Sequence, residues 1–340
     1  MSDIDYNTYY AKHCARYCGW LPAIKKYKRQ IKKDTLKYFT LCALEAIDVF
    51  MFEKEKILFR DNYGTLPDVI ICERYKDIAT QIISLVRPPL KGAILIGKLE
   101  DILTFQDTKD TIGLSPGDYV KDIRIRKLLR IKELHERLKN HFPFDIINFD
   151  PYGNLLNPDL GDNKLYRAFK KIFELQQNIN SFLFFVTTPI HDIHHDTNDR
   201  LKSCFDSNVF KHKEIKDVLI AANKTSIFDE INEKKRIAMC FSKLLVMNAA
   251  ISNGWDYKHH GIYIYESPSK TKMLNSVVEF YKTEKGPNES LYIKEVVRII
   301  KKMPQYYSHQ DSLRNRTVIR HLKKIIEFRE KSINAYKLKP

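Results

Sequence analysis

The feature that most constrains this chain is a series of short, mainly apolar runs separated by stretches of helical pattern. Tyr38-Phe39-Thr40-Leu41-Cys42, Asp68-Val69-Ile70-Ile71-Cys72-Glu73, Ala93-Ile94-Leu95-Ile96, Phe144-Asp145-Ile146-Ile147-Asn148-Phe149 and Ser181-Phe182-Leu183-Phe184-Phe185-Val186-Thr187-Thr188 each read as a strand. Near-continuous apolar runs of this length belong to strands covered on both faces. Between them lie helical patterns over 44–59, 75–86, 118–141 and 165–177. Connections that long exclude hairpins and predict parallel βαβ units with right-handed crossovers. The expected fold is therefore α/β, a doubly wound and mostly parallel sheet.

Beyond residue 190 the chain turns polar and helical, with an amphipathic pattern over 233–252. His260-Gly261-Ile262-Tyr263-Ile264-Tyr265-Glu266 predicts one late strand of the same sheet. This gives three regions: a basic helical segment over 1–36, a Rossmann-like domain over 37–268 with helical insertions at about 118–141 and 190–252, and a basic helical region over 269–340. Ligands of doubly wound sheets bind outside the carboxyl ends of the strands, near the switch point. The positions to examine are Cys42–Glu45, Glu73, Gly97–Asp101, Asp150–Gly153 and Thr187–Thr188.

Charge narrows the partners. Lys and Arg number 58 against 42 Asp and Glu, a formal net charge of +16. An excess of this size favours a polyanion, because neutralising phosphates releases condensed counterions. Nucleic acid is the expected partner, held by Lys25, Lys26, Lys28 and Arg29 near the start and by Arg314, Arg316, Arg320 and Lys323 near the end. The alternative is that these cations only solvate helix faces. There is no apolar run long enough to span a bilayer and no signal peptide, so no membrane is expected. Six cysteines, Cys14, Cys18, Cys42, Cys72, Cys204 and Cys240, form no disulfide pattern, which suits a reducing, cytoplasmic setting. His13, Cys14 and Cys18 lack the fourth ligand that a structural zinc site needs, so no metal is expected there.

Three strand ends carry candidate chemistry. Glu73 closes the second strand, where a carboxylate in nucleoside-binding folds accepts hydrogen bonds from two ribose hydroxyls; capping of the next helix is the other reading. Gly97-Lys98-Leu99-Glu100-Asp101 follows the third strand. Lys98 stands where an Asp is usual, so Glu100 or Asp101 would meet the adenine amine, unless Asp101 only opens a helical turn. Asp150-Pro151-Tyr152-Gly153 follows the fourth strand. There a carboxylate and a fixed backbone carbonyl can orient an exocyclic amine while Tyr152 stacks on a flipped base; a plain Asp-Pro turn is the alternative. His191, Asp192, His194, His195, Asp196 and Asp199 form a further polar cluster that matches no zinc spacing and reads as a loop, as does the pair His259-His260.

With Glu73, Gly97 and Asp150-Pro151-Tyr152-Gly153 in this order, the chain resembles class I S-adenosylmethionine-dependent methyltransferases. It is most similar to three-Cys-motif partner proteins and to methyltransferase-like proteins of prokaryotic defence islands. The Asp-Pro-Tyr-Gly turn also resembles that of tRNA guanine-N2 methyltransferases. The resemblance covers roughly residues 20–190, with His260–Glu266 matching a late strand. It implies a seven-stranded sheet, S-adenosylmethionine as cofactor, a cofactor cradle from Cys42, Glu45, Glu73, Gly97, Glu100 and Asp101, and an amine acceptor met by Asp150, Pro151 and Tyr152. One departure stands out: the first loop, Cys42-Ala43-Leu44-Glu45-Ala46-Ile47-Asp48, has no glycine, and a Cβ at each position crowds a cofactor.

Two functions follow from this reading. One is a nucleic-acid methyltransferase acting on an exocyclic base amine, in an anti-phage defence setting. The other is an inactive methyltransferase-like component that binds nucleic acid or a partner protein. A metal-dependent nuclease using the His191–His195 loop is a third, less supported by the spacing. The transferase reading requires five parallel strands that bring Glu73 and Asp150 to one rim.

Overall fold

The computed structural model describes residues 10–41, 46–86, 93–151, 164–189, 213–214, 217, 221, 250–267, 270–286, 294, 297, 305–308, 312 and 314–337. The chain is of the α/β class and divides into two compact units. One comprises Lys33–Asn148, Lys164–Asn180 and Ile325–Pro340; the other comprises Met1–Lys32, Phe149–Asn163 and Ser181–Lys324.

The first unit is the doubly wound one. Its strands are β1 (Tyr38–Thr40), β2 (Val69–Glu73), β3 (Ile94–Ile96) and β4 (Ile146–Phe149). They pair in the order β3-β2-β1-β4, every pair parallel. β1 and β2 are buried throughout, as their unbroken apolar runs predict. The intervening helices are α3 (Ile47–Lys54), α4 (Lys76–Val86), α5 (Leu99–Leu103), α6 (Ile123–His141) and, after β4, α7 (Lys164–Leu175). α3 is shorter than the expected 44–59 and is buried at every position from Ile47 to Phe52, the property of a helix apolar all round.

Polar anchors fix the ends of this sheet. The Asp145 carboxylate, just ahead of β4, accepts from the Lys33 ammonium at 2.7 Å and from the Lys37 backbone N–H at 2.9 Å, just ahead of β1. Gln176, fully buried after α7, accepts from the Phe144 N–H and donates to the Phe144 carbonyl, both at 2.7 Å. The side-chain amide thus pairs both backbone groups of Phe144, just ahead of β4. Arg60 forks onto Glu53 of α3 at 2.6 and 2.9 Å and also donates to the carbonyls of Gly64 and Val86.

The second unit opens with α1 (Tyr10–Ala15), a π-helical turn over Arg16–Trp20, and α2 (Leu21–Ile31). α2 is amphipathic: Leu21, Ala23, Ile24 and Tyr27 face inward, while Lys25, Lys26 and Arg29 are exposed. Its strands are β5 (Ser181–Pro189), β6 (Asp256–Glu266), β7 (Lys272–Tyr281) and β8 (Gln305–Tyr307). They pair in the order β5-β7-β6-β8, with β7 antiparallel to both β5 and β6 and β8 parallel to β6. Phe182, Phe184, Phe280 and Trp255 form the aromatic core here, with ring centroids 5.1–5.9 Å apart. Gly19 and Gly261 make room for one side chain, since a Cβ on either would lie 2.4 Å from Tyr263.

Two expectations are corrected. Residues 269–340 are not uniformly helical: they hold β7 and β8 as well as α8 (Arg316–Lys337). β7 escapes a hydropathy reading because Asn275, Ser276 and Glu279 interrupt its apolar run, although all three are buried. His259 and His260 lie in β6 rather than a loop, and His260 meets Glu279 at 2.8 Å. β1–β4 are parallel as expected, and β5 pairs antiparallel with β7 on one side. The expected helix over 233–252 falls almost wholly outside the described residues.

Gln176→Ala leaves a buried N–H and a buried C=O of Phe144 unpaired. A loss of about 2–4 kcal/mol in unfolding free energy is expected from urea titration. A change under about 0.5 kcal/mol would show that these two hydrogen bonds do not hold the chain ahead of β4.

Candidate functional site

In the order β3-β2-β1-β4 the chain runs outward from β1 through β2 and β3, then returns to the other side of β1. The switch point is therefore the crevice between the carboxyl ends of β1 and β4. Thr40 and Asn148 are register partners there. Their side chains meet at 3.1 Å, the amide Nδ2 of Asn148 donating to Oγ1 of Thr40. Both also donate to one oxygen of Asp48, at 3.1 and 3.3 Å, and the Tyr38 hydroxyl donates to the same oxygen at 2.5 Å. All four groups are buried. Asp48 lies in the first turn of α3, so this carboxylate ties the helix that follows the first loop back onto β1 and β4.

Two features mark the crevice as more than packing. Oδ1 of Asn148 is buried and has no hydrogen-bond partner among the described residues, an unusual state for a polar atom that costs stability. Ala46, at the exit of the first loop, has φ 50°, the left-handed region that favours glycine. Such strain concentrates where a chain is shaped by a ligand. The glycine expected by family resemblance is absent, but the backbone at this position takes the conformation a glycine would give. Cys42 and Glu45 lie outside the described residues.

Glu73 ends β2, the strand beside β1, and is buried. Its Oε1 accepts from the Tyr75 N–H at 2.9 Å, and the Arg74 amide also favours the charged form. Burial outweighs both and raises the carboxyl above its usual range. The turn-capping role is thus present, and a carboxylate with four acceptor sites keeps capacity for a ligand hydroxyl. Arg74 lies over the Tyr75 ring, 5.4 Å from its centroid, and both are exposed.

At the end of β3 the residues have structural partners. A Cβ on Gly97 would sit 3.2 Å from Ile102 and 3.3 Å from Leu134, so this glycine serves helix packing. Glu100 and Asp101 occupy the first turn of α5, where acidic groups favour the helix dipole. Asp101 is ion-paired with Lys164 of α7 at 3.0 Å.

Asp150 belongs to the other unit and follows β4 directly in the chain. Its Oδ2 is ion-paired with Lys12 of α1. Burial opposes the Lys12 charge, but the Asp150 carboxylate and the Tyr265 phenol more than offset it, and the Lys12 pKa is raised. Tyr265 is buried, and its hydroxyl, bonded with Thr187, is pushed up to about 12. Thr187, singled out as a strand end, accepts from the Asn275 amide at 2.9 Å, and Asn275 accepts from the Trp20 indole N–H at 2.9 Å. Arg16, only 4% exposed, lies over Trp20 at 5.6 Å. Pro151 is described; Tyr152 and the His191–His195 cluster lie outside the described residues.

Lys12 has no sequence signal, because it is 138 residues from Asp150. Thr40 and Asn148 did leave one, each a polar residue inside an otherwise apolar, doubly covered strand, and so did Asp48, the one charged residue in the apolar run over 46–52. Among the described residues no group of three or more His, Cys, Asp or Glu could hold a metal. His13 instead meets His321 at 2.9 Å, Nε2 to Nδ1. Nor, among the described residues, is any helix long and apolar enough to cross a membrane. Lys25, Lys26, Arg29, Arg314, Arg316, Arg320 and Lys323 are exposed and Lys28 half-buried.

A family model described as PP_RS20740-like matches residues 129–250. The matched segment includes β4, Asp150, α7 and β5 but not β1, β2 or Glu73. No curated protein matches the chain.

Because Glu73 has a raised pKa, the folded state binds its proton more readily than the unfolded chain. Its ionisation therefore costs stability as pH rises above about 4.5, the ordinary Glu value. Glu73→Gln should gain stability relative to the wild type between pH 4.5 and 7, measured by denaturant titration at both ends. An offset equal at both pH values would show that Glu73 is not held against its charge.

Proposed function

We propose that this chain is a class I methyltransferase-type protein that binds S-adenosylmethionine and acts on nucleic acid. The observation that carries the reading is the switch point between β1 and β4, with the buried Glu73 carboxylate ending the adjacent strand. Supporting it, the parallel order β3-β2-β1-β4 is the first part of the doubly wound order 3-2-1-4-5-6, which binds a nucleoside cofactor at its switch point.

The residues present fit the cofactor. Glu73 has acceptor capacity for the ribose hydroxyls, and the unpaired Oδ1 of Asn148 is a buried acceptor in the crevice. When bound, S-adenosylmethionine supplies an electrophilic sulfonium methyl. In the other unit, Asp150 and the Pro151 carbonyl have acceptors for the hydrogens of an exocyclic amine and would so orient its lone pair. Rate enhancement of this kind is mostly positioning. The charge of +16 supports a nucleic-acid acceptor.

One observation favours the second reading, a methyltransferase-like protein that binds without transferring. Lys12 occupies Oδ2 of Asp150, so an incoming amine meets a carboxylate that is already paired. This alternative fits a component of a defence complex that recruits nucleic acid or a partner protein.

Calorimetry with S-adenosylmethionine tests the shared part. Wild type should bind, and Glu73→Ala should weaken binding about 10–100-fold, the loss of a charge-assisted hydrogen bond. No binding by the wild type at millimolar cofactor overturns the proposal. Transfer of a labelled methyl group to DNA or RNA separates the two readings. Loss of that transfer in Asp150→Ala, with cofactor affinity unchanged, supports catalysis; binding without transfer in the wild type supports the second reading.

A further inference from the structure

The cations of α6 are not distributed or used evenly. In its C-terminal half two of them are engaged: Lys132 pairs with Asp107 at 2.8 Å and also donates to the carbonyls of Thr111 and Leu114, and Arg137 meets Glu133 and the Ile94 carbonyl. In its first two turns, Arg124, Lys127 and Arg130 are exposed, with no ion pair among the described residues. Arg126 is also exposed and touches only the Lys121 carbonyl, at 3.5 Å.

The nearby acids do not neutralise them. Asp122 caps the helix, accepting from the Arg124 and Ile125 N–H groups at 2.7 and 3.4 Å. Asp118 is held by the Ser115 N–H at 2.6 Å. The helix dipole adds positive potential at this same end.

Large apolar surface stands beside the charge. Tyr119 is 85% exposed and Ile123 75%. Ile123, Arg126, Lys127 and Arg130 follow the i, i+3, i+4, i+7 spacing and so share one helix face. Phosphate-binding cations interleaved with an exposed aromatic ring are the surface a nucleic-acid strand uses, with the backbone neutralised and a base stacked. An anionic bilayer would match the charge, but the apolar surface here is one ring and one aliphatic side chain, far short of an amphipathic helix's buried face.

We infer that the first two turns of α6, with Tyr119, form a nucleic-acid docking surface through Arg124, Arg126, Lys127 and Arg130. The inference rests on the nucleic-acid part of the proposed function and names where the substrate strand is held. It assigns this role to α6 rather than to the basic face of α8, where Arg316, Arg320, Lys323 and Lys324 are likewise exposed.

The test is fluorescence anisotropy of the full chain with labelled single-stranded and duplex DNA and RNA over a KCl series. It compares wild type, the Arg124→Ala/Arg126→Ala/Lys127→Ala/Arg130→Ala variant, and the Arg316→Ala/Arg320→Ala/Lys323→Ala/Lys324→Ala variant. All substituted side chains are exposed, and circular dichroism checks folding. The α6 variant should lose at least about tenfold in affinity at 0.1 M salt, and its log–log salt slope should fall by about 3, the share of four phosphate contacts. Tyr119→Ala should weaken single strands by about fivefold or more and leave duplex binding unchanged.

An α6 variant with wild-type affinity and slope, while the α8 variant loses both, overturns the inference and leaves the proposed function standing. Wild type that binds no nucleic acid overturns the inference, as does binding only to vesicles containing anionic phospholipid. In either case calorimetry with S-adenosylmethionine reports separately on the cofactor reading.

Discussion

One buried carboxylate organises the region on which the functional reading depends. Asp48 gathers the hydroxyls of Tyr38 and Thr40 and the amide of Asn148 on a single oxygen. A carboxylate removed from water is tolerated only when its lone pairs are met. Here the donors come from β1 and β4, the two strands that define the switch point. The interaction therefore does two jobs: it compensates burial of a charged group type, and it fixes α3 and the exit of the first loop against the strand ends. Without it, the crevice would have no reason to hold a defined shape.

The same network bears on a chain without glycines in its first loop. Ala46 takes the left-handed conformation despite its Cβ, and the Asp48 network lies two residues further on. Glycine would adopt this backbone without strain, while alanine needs tertiary restraint to hold it. Asn148 Oδ1, left without a described partner at the centre of the network, is the atom that a bound ligand would satisfy.

The first half of the fold was readable because each parallel strand is covered on both faces and so shows as a bare apolar run; β1 to β4 lie within two residues of their expected bounds. β7 was not readable, because its buried Asn275, Ser276 and Glu279 find partners or neighbours distant in sequence, and local hydropathy records only the polar residue. Glu73 and Asp150 could be placed at strand ends from spacing alone. Their actual partners could not: Lys12 reaches Asp150 across 138 residues, and the choice between turn cap and ligand acceptor at Glu73 depends on burial. Gly97 fits a cofactor motif in sequence, and in the fold a Cβ there would press on Ile102 and Leu134, a packing constraint that spacing does not reveal.

A crystal structure of the full chain grown with saturating S-adenosylhomocysteine tests the switch-point site most directly. Density for the nucleoside should lie outside the carboxyl ends of β1 and β4, with the ribose reaching the Glu73 carboxylate at the end of β2. Well-ordered crystals with that crevice empty, or with the nucleoside bound elsewhere, would contradict the assignment of this crevice as a cofactor site.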